Sequence, residues 1–364
     1  MADTSAATGL TVQQWDRKYF TEALNAHVFK PFMGTGTNSL IQVKEDLTKK
    51  PGDSVTYSLI NSLAASAVED GAVLEGSEEA MDQRSHKITM HQYRNGVRVP
   101  AYDDQITAIP LRNAAKDVLM NWSMELWRDR CITVLGNPGH LSANATLRNA
   151  WLVDNNPGGV YERTLFGDSV TNGSYAVHAT DLATVTAGMT LTTDILSLMK
   201  RMAKTASPKI RPLKDRSGSM TSDQYVIFAD SLSVRDLASQ TAFQTANREA
   251  RNRGITNPLF KGADYIWDNM AIYEVEDIAS LGAVGASSAT VSPVYLCGAQ
   301  ALGHAWAKRP KSVTETFDYG DKFGVAVEQW YGIEKLIFGA GSGDTDDPKD
   351  HGVVTAYVAA AGDA

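Results

Sequence analysis

Serines that could act as nucleophiles and a glycine-rich run that could bind phosphate are present in this chain, but their spacing fits no reactive site. Ser217 and Ser219 flank Gly218, which is not the G-x-S-x-G turn that exposes a serine nucleophile. The GTGTNS run at 34–39 lacks the Lys-Ser/Thr ending with which a phosphate-binding loop holds a nucleotide. The sequence therefore predicts no catalytic residue, no cofactor-binding residue and no cofactor, and an enzyme is not expected.

Metal-ligand patterns are missing as well. The seven histidines are scattered, and none stands four residues from another, as a zinc-binding helix requires. The segment GDTDDPKDHG lacks the glycine and the closing glutamate of a calcium-binding EF-hand loop. Its Asp344, Asp346, Asp347 and Asp350 are interpreted as a polar turn, with a weak, adventitious cation site as the alternative. No metal site is predicted.

The composition is that of a globular chain with an excess of negative charge. The 364 residues are 43% hydrophobic and 21% charged, which leaves room for two domains or one large core with appendages. The formal net charge of −8 argues against a protein that grips DNA, because lysine and arginine supply nearly all of the affinity for phosphates. There is no secretory signal and no apolar run of about 18 to 20 residues, so no membrane partner is expected.

The two cysteines, Cys131 and Cys297, are far apart in the sequence, and each lies in an apolar setting. They are interpreted as reduced thiols in a core. A disulfide or a shared metal is the alternative.

The first hundred residues predict an arm followed by a long hairpin. A short amphipathic pattern over 8–25 would be marginal alone, so we expect this arm to lie on another surface. Alternating apolar and polar residues in KPGDSVTYSLI and in HKITMHQYRNGVRVPAY predict two paired strands. Residues 62–84 between them are a mixture of small and acidic residues, and their number far exceeds the usual loop of about two to five residues. This segment is either a flexible surface loop or a loop held by another surface.

The clearest helix is predicted over 109–136. Pro110 suits its first turn, and the run Gly-Asn-Pro at 136–138 ends it. One apolar stripe contains Trp122 and a second contains Trp127. A helix that is apolar on two faces packs on two sides, so both tryptophans are expected in the core.

Residues 186–296 predict an α/β unit. A helix from Leu191 to Ala203, with Thr193 or Asp194 near its cap, precedes the buried strand QYVIFAD and a second helix. By contrast, residues 137–185 are rich in Asn, Gly, Thr and Ser and are interpreted as an insertion or a long surface loop.

The final third of the chain predicts a helix, a ribbon and a strand. CGAQALGHAWAKRP is interpreted as a short apolar helix closed by Lys308, Arg309 and Pro310. FDYGDKFGVAVEQWYGIEKLIF is interpreted as a long two-stranded ribbon, and DHGVVTAYVAAA as a last strand. This order, with the DYG, FG, VEQWYGI and DHGVV motifs, resembles the major capsid proteins of tailed bacteriophages, in the branch seen in short-tailed phages. An NPLF segment followed by a strand also occurs in that branch.

The resemblance implies an α+β fold, the Hong Kong phage capsid fold. Its expected parts are an N-terminal arm (1–50), an extended hairpin loop (51–104), a peripheral domain with a spine helix and an insertion (105–185), an axial α/β domain (186–305), and the peripheral ribbon with the C-terminal strand (306–364).

The resemblance also implies a structural protein that self-assembles, as pentamers and hexamers, into the icosahedral shell around a double-stranded DNA genome. Such a protein is found in the virion, after assembly in the host cytoplasm. The acidic charge suits a container, because a wall that bound phosphates tightly would hinder packaging and release. A cellular nanocompartment shell of the encapsulin type is the alternative, followed by an enzyme with a hidden acid/base pair.

Charged contacts between subunits are expected on the same grounds, with the acidic hairpin loop lying across an adjacent subunit. The candidate contact residues are Glu75, Glu78, Glu79, Arg248, Arg251, Arg253 and Arg309. A solvated helix face is the alternative for the arginines at 248–253.

Partners other than further copies are also predicted. A separate scaffolding protein is expected, because no long charged helical segment precedes the arm. A portal and a decoration protein are further partners, and contact with the packaged DNA is expected to be weak and non-specific.

Overall fold

The computed structural model describes most of the chain as two compact units. The described residues are 29–45, 52–60, 83–106, 111–215, 222–251, 264–340 and 346–360, with 69, 75, 78 and 362 as single residues. The first unit comprises Met1–Val55, Ile88–Asn137 and Leu302–Glu334. The second unit comprises Thr56–Lys87, Pro138–Ala301 and Lys335–Ala364.

The described ranges contain seven α-helices and sixteen strands, numbered in chain order. The helices are α1 (Ala101–Ile106), α2 (Leu111–Gly136), α3 (Ala145–Asn155), α4 (His178–Leu182), α5 (Thr193–Thr205), α6 (Ser231–Ala238) and α7 (Thr241–Arg251). The strands are β1 (Met33–Gly34), β2 (Ile41–Lys44), β3 (Ser54–Ile60), β4 (Gln83–Thr89), β5 (His91–Pro100), β6 (Thr164–Phe166), β7 (Leu213–Asp215), β8 (Ser222–Ala229), β9 (Tyr265–Trp267), β10 (Met270–Glu274), β11 (Val291–Cys297), β12 (Leu302–Phe317), β13 (Lys322–Lys335), β14 (Ile337–Ala340), β15 (Asp346–Asp350) and β16 (Val353–Ala359).

A five-stranded sheet with the order β1-β2-β12-β13-β5 forms the first unit. β2 pairs parallel with β1 and with β12. β5 runs antiparallel to β13 over ten residue pairs, from Lys322↔Pro100 to Tyr331↔His91. The segment 317–338, which the sequence predicts as a two-stranded ribbon, instead contains one long strand, β13, and the start of β14. β13 pairs with β12, most of which the sequence does not predict as a strand. The predicted hairpin strands are β3 and β4, which pair in a small sheet of their own.

Helix α2 lies on one face of the five-stranded sheet, in the range that the sequence predicts for the long helix. Leu119 forms a buried cluster with Val325 and Val327 of β13. Two polar contacts fix the rotation of the helix. Ser123 Oγ donates to Gln329 Oε1 at 3.2 Å, and the indole of Trp127 donates to a buried histidine of β12 at 3.2 Å.

The two tryptophans of α2 differ in their burial. Trp127 is 3% exposed, whereas Trp122 is only half-buried. The prediction that both tryptophans lie in the core is therefore wrong for Trp122. Leu119, on the same stripe, is fully buried against the sheet, so the covering of this stripe stops short of Trp122.

The second unit contains a seven-stranded sheet in which β6-β16-β11-β8-β10-β9 are neighbours and β7 joins β8. Every residue of β11 and of β16 is buried. Helix α5 packs on this sheet through Ile195, Leu196 and Met199, within one large apolar core. The predicted α/β unit and terminal strand are confirmed. The helix cap is Thr192, whose side chain accepts a hydrogen bond from Ile195 N, and not Thr193 or Asp194.

Residues 137–185 are ordered, so the interpretation as a surface loop is wrong. They contain α3, β6 and α4, and Trp151 and Phe166 lie in a core. The polar residues that suggested a loop satisfy backbone groups instead. The side chain of Asn144 caps α3, and Asn156 Oδ1 accepts from the backbone of residues 162–164. The carboxylate of Asp181 accepts from the backbone N–H groups of residues 174 and 175.

The predicted helix at 297–310 is also wrong. β11 ends at Cys297, and β12 begins at Leu302 and continues through Pro310. A short apolar run that is buried on both sides has no periodicity that separates a strand from a helix. Between the strands the backbone passes close to its neighbours, since a Cβ on Gly298 would lie 2.4 Å from the Arg211 carbonyl oxygen.

The structure also bears on the two cysteines, on the aspartate-rich segment and on membrane-spanning helices. Cys131 and Cys297 are buried free thiols, as predicted. The aspartate-rich segment is not a polar turn where it is described, because Asp346–Asp350 form β15 and Asp350 is buried. Among the described helices, none is long and apolar enough to cross a membrane.

Candidate subunit-contact surface

The predicted contact residues lie in different parts of the chain. Glu75 and Glu78 are exposed, and Glu79 and Arg253 fall outside the described residues. Arg248 and Arg251 lie on α7, and their side chains also fall outside the description. Arg309 lies on β12, where its Nη2 is 2.5 Å from Glu45 Oε1. Within one chain, this guanidinium therefore pairs with an acid that does not belong to the hairpin.

The first unit presents a broad surface on the side of its sheet opposite α2, which we call the open face. Strand alternation sorts the side chains of β5 and β13 between the two sides. The pair Val97↔Val325 lies on the α2 side, in or against the core cluster around Leu119. Three pairs on the open face are Arg94↔Glu328, Gly96↔Ala326 and Arg98↔Gly324.

A notch crosses the open face where these small residues meet. Its volume is about 300 Å³, and its floor contains Gly96, Gly324 and Ala326. Phe317 of β12 forms one wall, and the guanidinium of Arg98 lies 4.3 Å from the centre of its ring. The remaining walls are formed by Arg94, Val313, Glu315 and Glu328. We call this feature the Gly96 notch.

Glu328 holds together one end of the open face. Its carboxylate accepts from Lys308 Nζ at 2.9 Å, from Gln92 Nε2 at 2.6 Å and from Trp330 Nε1 at 2.7 Å. The hydrogen bond from Lys308 is the main cause that lowers the pKa of Glu328 to about 2. Glu328 therefore stays ionised at any ordinary pH, with its charge balanced by Lys308. Beside it, Trp330 is 40% exposed.

The arginines of the notch are placed differently. Arg94 makes no ion pair with the parts of the chain that the structure describes, and Arg98 is exposed and lies over the Phe317 ring. Sequence reasoning missed both residues. The available signal was the spacing Arg-x-Gly-x-Arg in RNGVR, which places all three residues on one side of a strand.

The second unit holds a cluster of titratable groups that could suggest catalysis. His140 lies between two hydroxyls, 3.0 Å from Tyr295 and 3.3 Å from Tyr357, and His178 Nε2 is 3.0 Å from the same Tyr357 hydroxyl. Burial is the main cause that lowers the pKa of His140 to about 3 and that of His178 to about 4. Such imidazoles are neutral and too weakly basic for proton abstraction at neutral pH. They tie α4, and the turn after α2, to the central sheet.

A buried ion pair forms a second polar cluster in this unit. Lys335 Nζ lies 2.8 Å from Asp350 Oδ2, and these two side chains are 1% and 2% exposed. The indole of Trp151 donates to the same carboxylate. This pair links β13 to β15 and leaves the acid no free position for a metal. In the described part of the chain, no three His, Cys, Asp or Glu side chains are grouped to hold a metal ion.

Comparison with known proteins places the whole chain in one family. Residues 3–362 match the family described as "Phage capsid protein". The major capsid protein of Pseudomonas phage KPP25 is 29% identical over 95% of this chain and 94% of its own length.

Solved capsids show the same fold. A chain of the cyanophage Pam1 capsid is 32% identical, with a TM-score of 0.79 and 100% of both chains covered. A chain of the capsid of Ralstonia phage GP4 has a TM-score of 0.73 over 92% of this chain and 90% of its own, at 22% identity, which shows the shared fold alone. The predicted phage capsid fold is therefore confirmed as an α+β fold. This chain belongs to the phage capsid protein family, a structural rather than enzymatic family, and is a major capsid protein that forms the shell of the phage head.

Proposed function

We propose that copies of this chain form pentamers and hexamers that close into an icosahedral shell around double-stranded DNA, in a phage of the short-tailed branch. The open face of the first unit and the acidic segment 62–84 supply contacts between neighbouring copies. One chain must then fit both five-fold and six-fold rings, which favours contacts that tolerate small changes of angle.

The observation that carries this proposal is the open face itself. This face carries a notch at the β5 edge of the sheet, lined by two arginines and an aromatic ring. Glycine inside a strand lowers the stability of the strand, and it recurs where another backbone approaches closely. The open face combines this feature with aromatic and arginine side chains, which are enriched where proteins bind each other.

Other partners follow from the same function. A separate scaffolding protein directs closure, a portal occupies one vertex, and a decoration protein binds the outside. The excess of acidic residues keeps contact with the packaged DNA weak and independent of sequence. In a filter-binding titration, the unassembled protein should bind duplex DNA no more tightly than about 10⁻⁴ to 10⁻⁶ M at physiological salt. Nanomolar, sequence-dependent binding would contradict this account of the charge.

Electron microscopy of the purified protein tests the proposal. The protein is examined alone and after co-expression with the products of neighbouring genes. Uniform closed particles are the expected result, and a monomer or dimer under every condition would contradict it. A chain that lacks residues 66–80 should remain folded, by thermal unfolding, but should form no particles. Normal particles from this deletion would show that the acidic segment is not needed for assembly.

A further inference from the structure

We propose that Asn95 is a modification site, at which the side-chain amide is lost spontaneously and the residue becomes aspartate or isoaspartate. The chain contains two Asn-Gly pairs, Asn95-Gly96 and Asn172-Gly173. Asparagine followed by glycine is especially prone to this reaction, because glycine has no Cβ to keep its backbone nitrogen away from the preceding side chain. The structure separates the two pairs, since it leaves Asn95 able to react and holds Asn172 in place.

The backbone nitrogen of Gly96 points to the free edge of the five-stranded sheet. Within the described part of the chain, β5 is an outer strand of this sheet, with β13 as its neighbour. In an antiparallel pair, alternate residues direct their N–H groups toward the partner strand, and the residues between them direct theirs away. Ala101 N donates to Asp321 O in the register of the ladder, so the odd-numbered residues of β5 face β13 and the N–H of Gly96 points away from it. A reaction at this nitrogen therefore breaks no hydrogen bond between the strands.

The side chain of Asn95 already lies against this nitrogen. Gly96 N donates to Asn95 Oδ1 at 2.8 Å, which brings the side-chain amide carbon, bonded to that oxygen, beside the nitrogen that attacks it. Holding two reacting groups in contact removes much of the entropic cost of bringing them together. Both residues are exposed, so water and hydroxide reach them.

The reaction needs only water and hydroxide. Hydroxide removes the proton of the Gly96 backbone nitrogen, which then forms a bond to the side-chain amide carbon of Asn95. The bond from that carbon to the side-chain nitrogen breaks, and this nitrogen takes a proton from water and leaves as ammonia, which regenerates the hydroxide. A further water opens the resulting succinimide ring at either of its carbonyl carbons, giving aspartate or isoaspartate. In total, water is consumed and ammonia is released, and nothing is oxidised or reduced.

Asn172 is held in a way that opposes the same approach. Its side-chain nitrogen, the group that must leave, donates to Phe166 O at 3.0 Å and to Asp168 Oδ1 at 3.1 Å. A Cβ on Gly173 would fall 2.9 Å from the Phe166 ring, and Asn172 and Gly173 are both half-buried. Asn172 must lose these contacts before its amide carbon can meet the next backbone nitrogen. The native fold should therefore slow deamidation at Asn172.

The isoaspartate product should loosen the edge strand. In isoaspartate the backbone runs through the former side chain, which lengthens the main chain within β5. The ladder beyond this point includes the pair Val97↔Val325 and the buried Val99, whose positions depend on the register. Aspartate at the same position keeps the register and only adds a negative charge.

Peptide mapping by mass spectrometry, on unassembled protein aged at mildly alkaline pH, tests the site. In the native chain, the deamidated fraction should be at least severalfold larger at Asn95 than at Asn172, and the rate at Asn95 should rise with pH. In the chain unfolded in urea, the two Asn-Gly pairs should react at similar rates. A native fraction at Asn95 no larger than that at Asn172, or a rate at Asn95 that is unaffected by pH, would overturn the inference.

The matched control is Asn95→Gln, because glutamine keeps an exposed amide but must form a larger ring to react. Isoaspartate in the aged protein is counted with an isoaspartyl methyltransferase, and thermal unfolding is followed in the same samples. Aged wild-type protein should gain isoaspartate and a population with a lower melting temperature, and aged Asn95→Gln should show neither. Equal isoaspartate in the two aged proteins would show that the modification lies elsewhere. The chemistry takes place within one chain, so this result is independent of whether the chain forms closed particles.

Discussion

The sheets of the two units expose their strands very differently. In the second unit, β11 and β16 pair over seven residues, and every residue of both strands is buried. In the first unit, β5 has most of its residues exposed, although it pairs with β13 over a longer stretch. Pairing alone therefore does not decide whether a strand is covered. In the second unit these inner strands are covered within one chain, whereas β5 is an edge strand of the first unit and is largely exposed.

We infer from this difference that the two units have different roles in the shell. Buried ion pairs and hydrogen bonds, such as the Lys335–Asp350 pair, hold the strands of the second unit together. In the proposed function, the first unit supplies contacts that are exposed, individually weak and repeated in every copy. The predictions below test the two sides of this contrast, beginning with the largest expected effect.

Breaking the buried ion pair should have the largest effect on folding. Asp350→Ala leaves the Lys335 ammonium without its partner in a site where it is 1% exposed. Removing one member of such a pair costs about 3 to 5 kcal/mol, and this loss should appear as a lower free energy of unfolding in denaturant titrations. The control is Arg309→Leu on the open unit, whose pair with Glu45 is about half exposed, and it should cost no more than about 1 kcal/mol. Equal losses would erase the contrast between the units.

The two tryptophans of α2 should differ in the same direction. Trp127→Ala removes an indole that is 3% exposed and should cost about 3 to 5 kcal/mol through the cavity it leaves. Trp122→Ala removes a half-buried ring and should cost clearly less in the free chain. If Trp122→Ala proved as costly as Trp127→Ala in the unassembled protein, α2 would be packed on two sides within one chain, as the sequence alone suggests.

Acid should weaken the second unit through its histidines. His140 and His178 stay neutral in the folded chain, with pKa values of about 3 and 4. The unfolded chain takes up protons below about pH 6.5, so stability should fall as the pH drops from about 6.5 toward 4. The expected loss is about 1 to 3 kcal/mol for each histidine. His178→Gln should flatten this part of the unfolding-versus-pH curve, while His91→Gln, at an exposed site on β5, should not. If the unfolding-versus-pH curve is unchanged by His178→Gln, protonation of this histidine does not cause the loss of stability in acid.

Salt should have the smallest effect, and it should act on assembly rather than folding. The contacts proposed for the open face are exposed charge pairs, worth about 0 to 1 kcal/mol each. The Debye length falls from about 10 Å at 0.1 M to about 3 Å at 1 M salt. Light scattering should therefore report weaker assembly as salt rises. Assembly that strengthens steadily with salt would point to apolar contacts as the main attraction between subunits.

The elements with clear periodicity could be predicted from the sequence, and those with none could not. Helix α2, the paired strands β3 and β4, and strand β13 all carry a regular alternation or stripe. The elements of 137–185 were not predicted because the segment is rich in polar residues, a composition that is typical of loops. In the structure, Asn144, Asn156 and Asp181 instead accept hydrogen bonds from backbone N–H groups. The run at 297–310 was missed because a strand buried on both sides and a helix share the same apolar pattern.

The candidate site was only partly predictable for a different reason. The acidic segment is visible in the sequence as a long run without a positive charge. The notch depends on the register of β5 against β13, which sets Gly96 beside Ala326 and Arg98 beside Gly324. That register joins residues more than two hundred positions apart, so no local pattern reveals it. The sequence therefore indicated the acidic segment as a proposed contact region but did not indicate the open face of the first unit.

A cryo-electron-microscopy reconstruction of the assembled shell tests the central claim most directly. The account predicts density from a neighbouring copy over the open face of the first unit. A reconstruction of closed particles in which the open face of every copy is bare would contradict it.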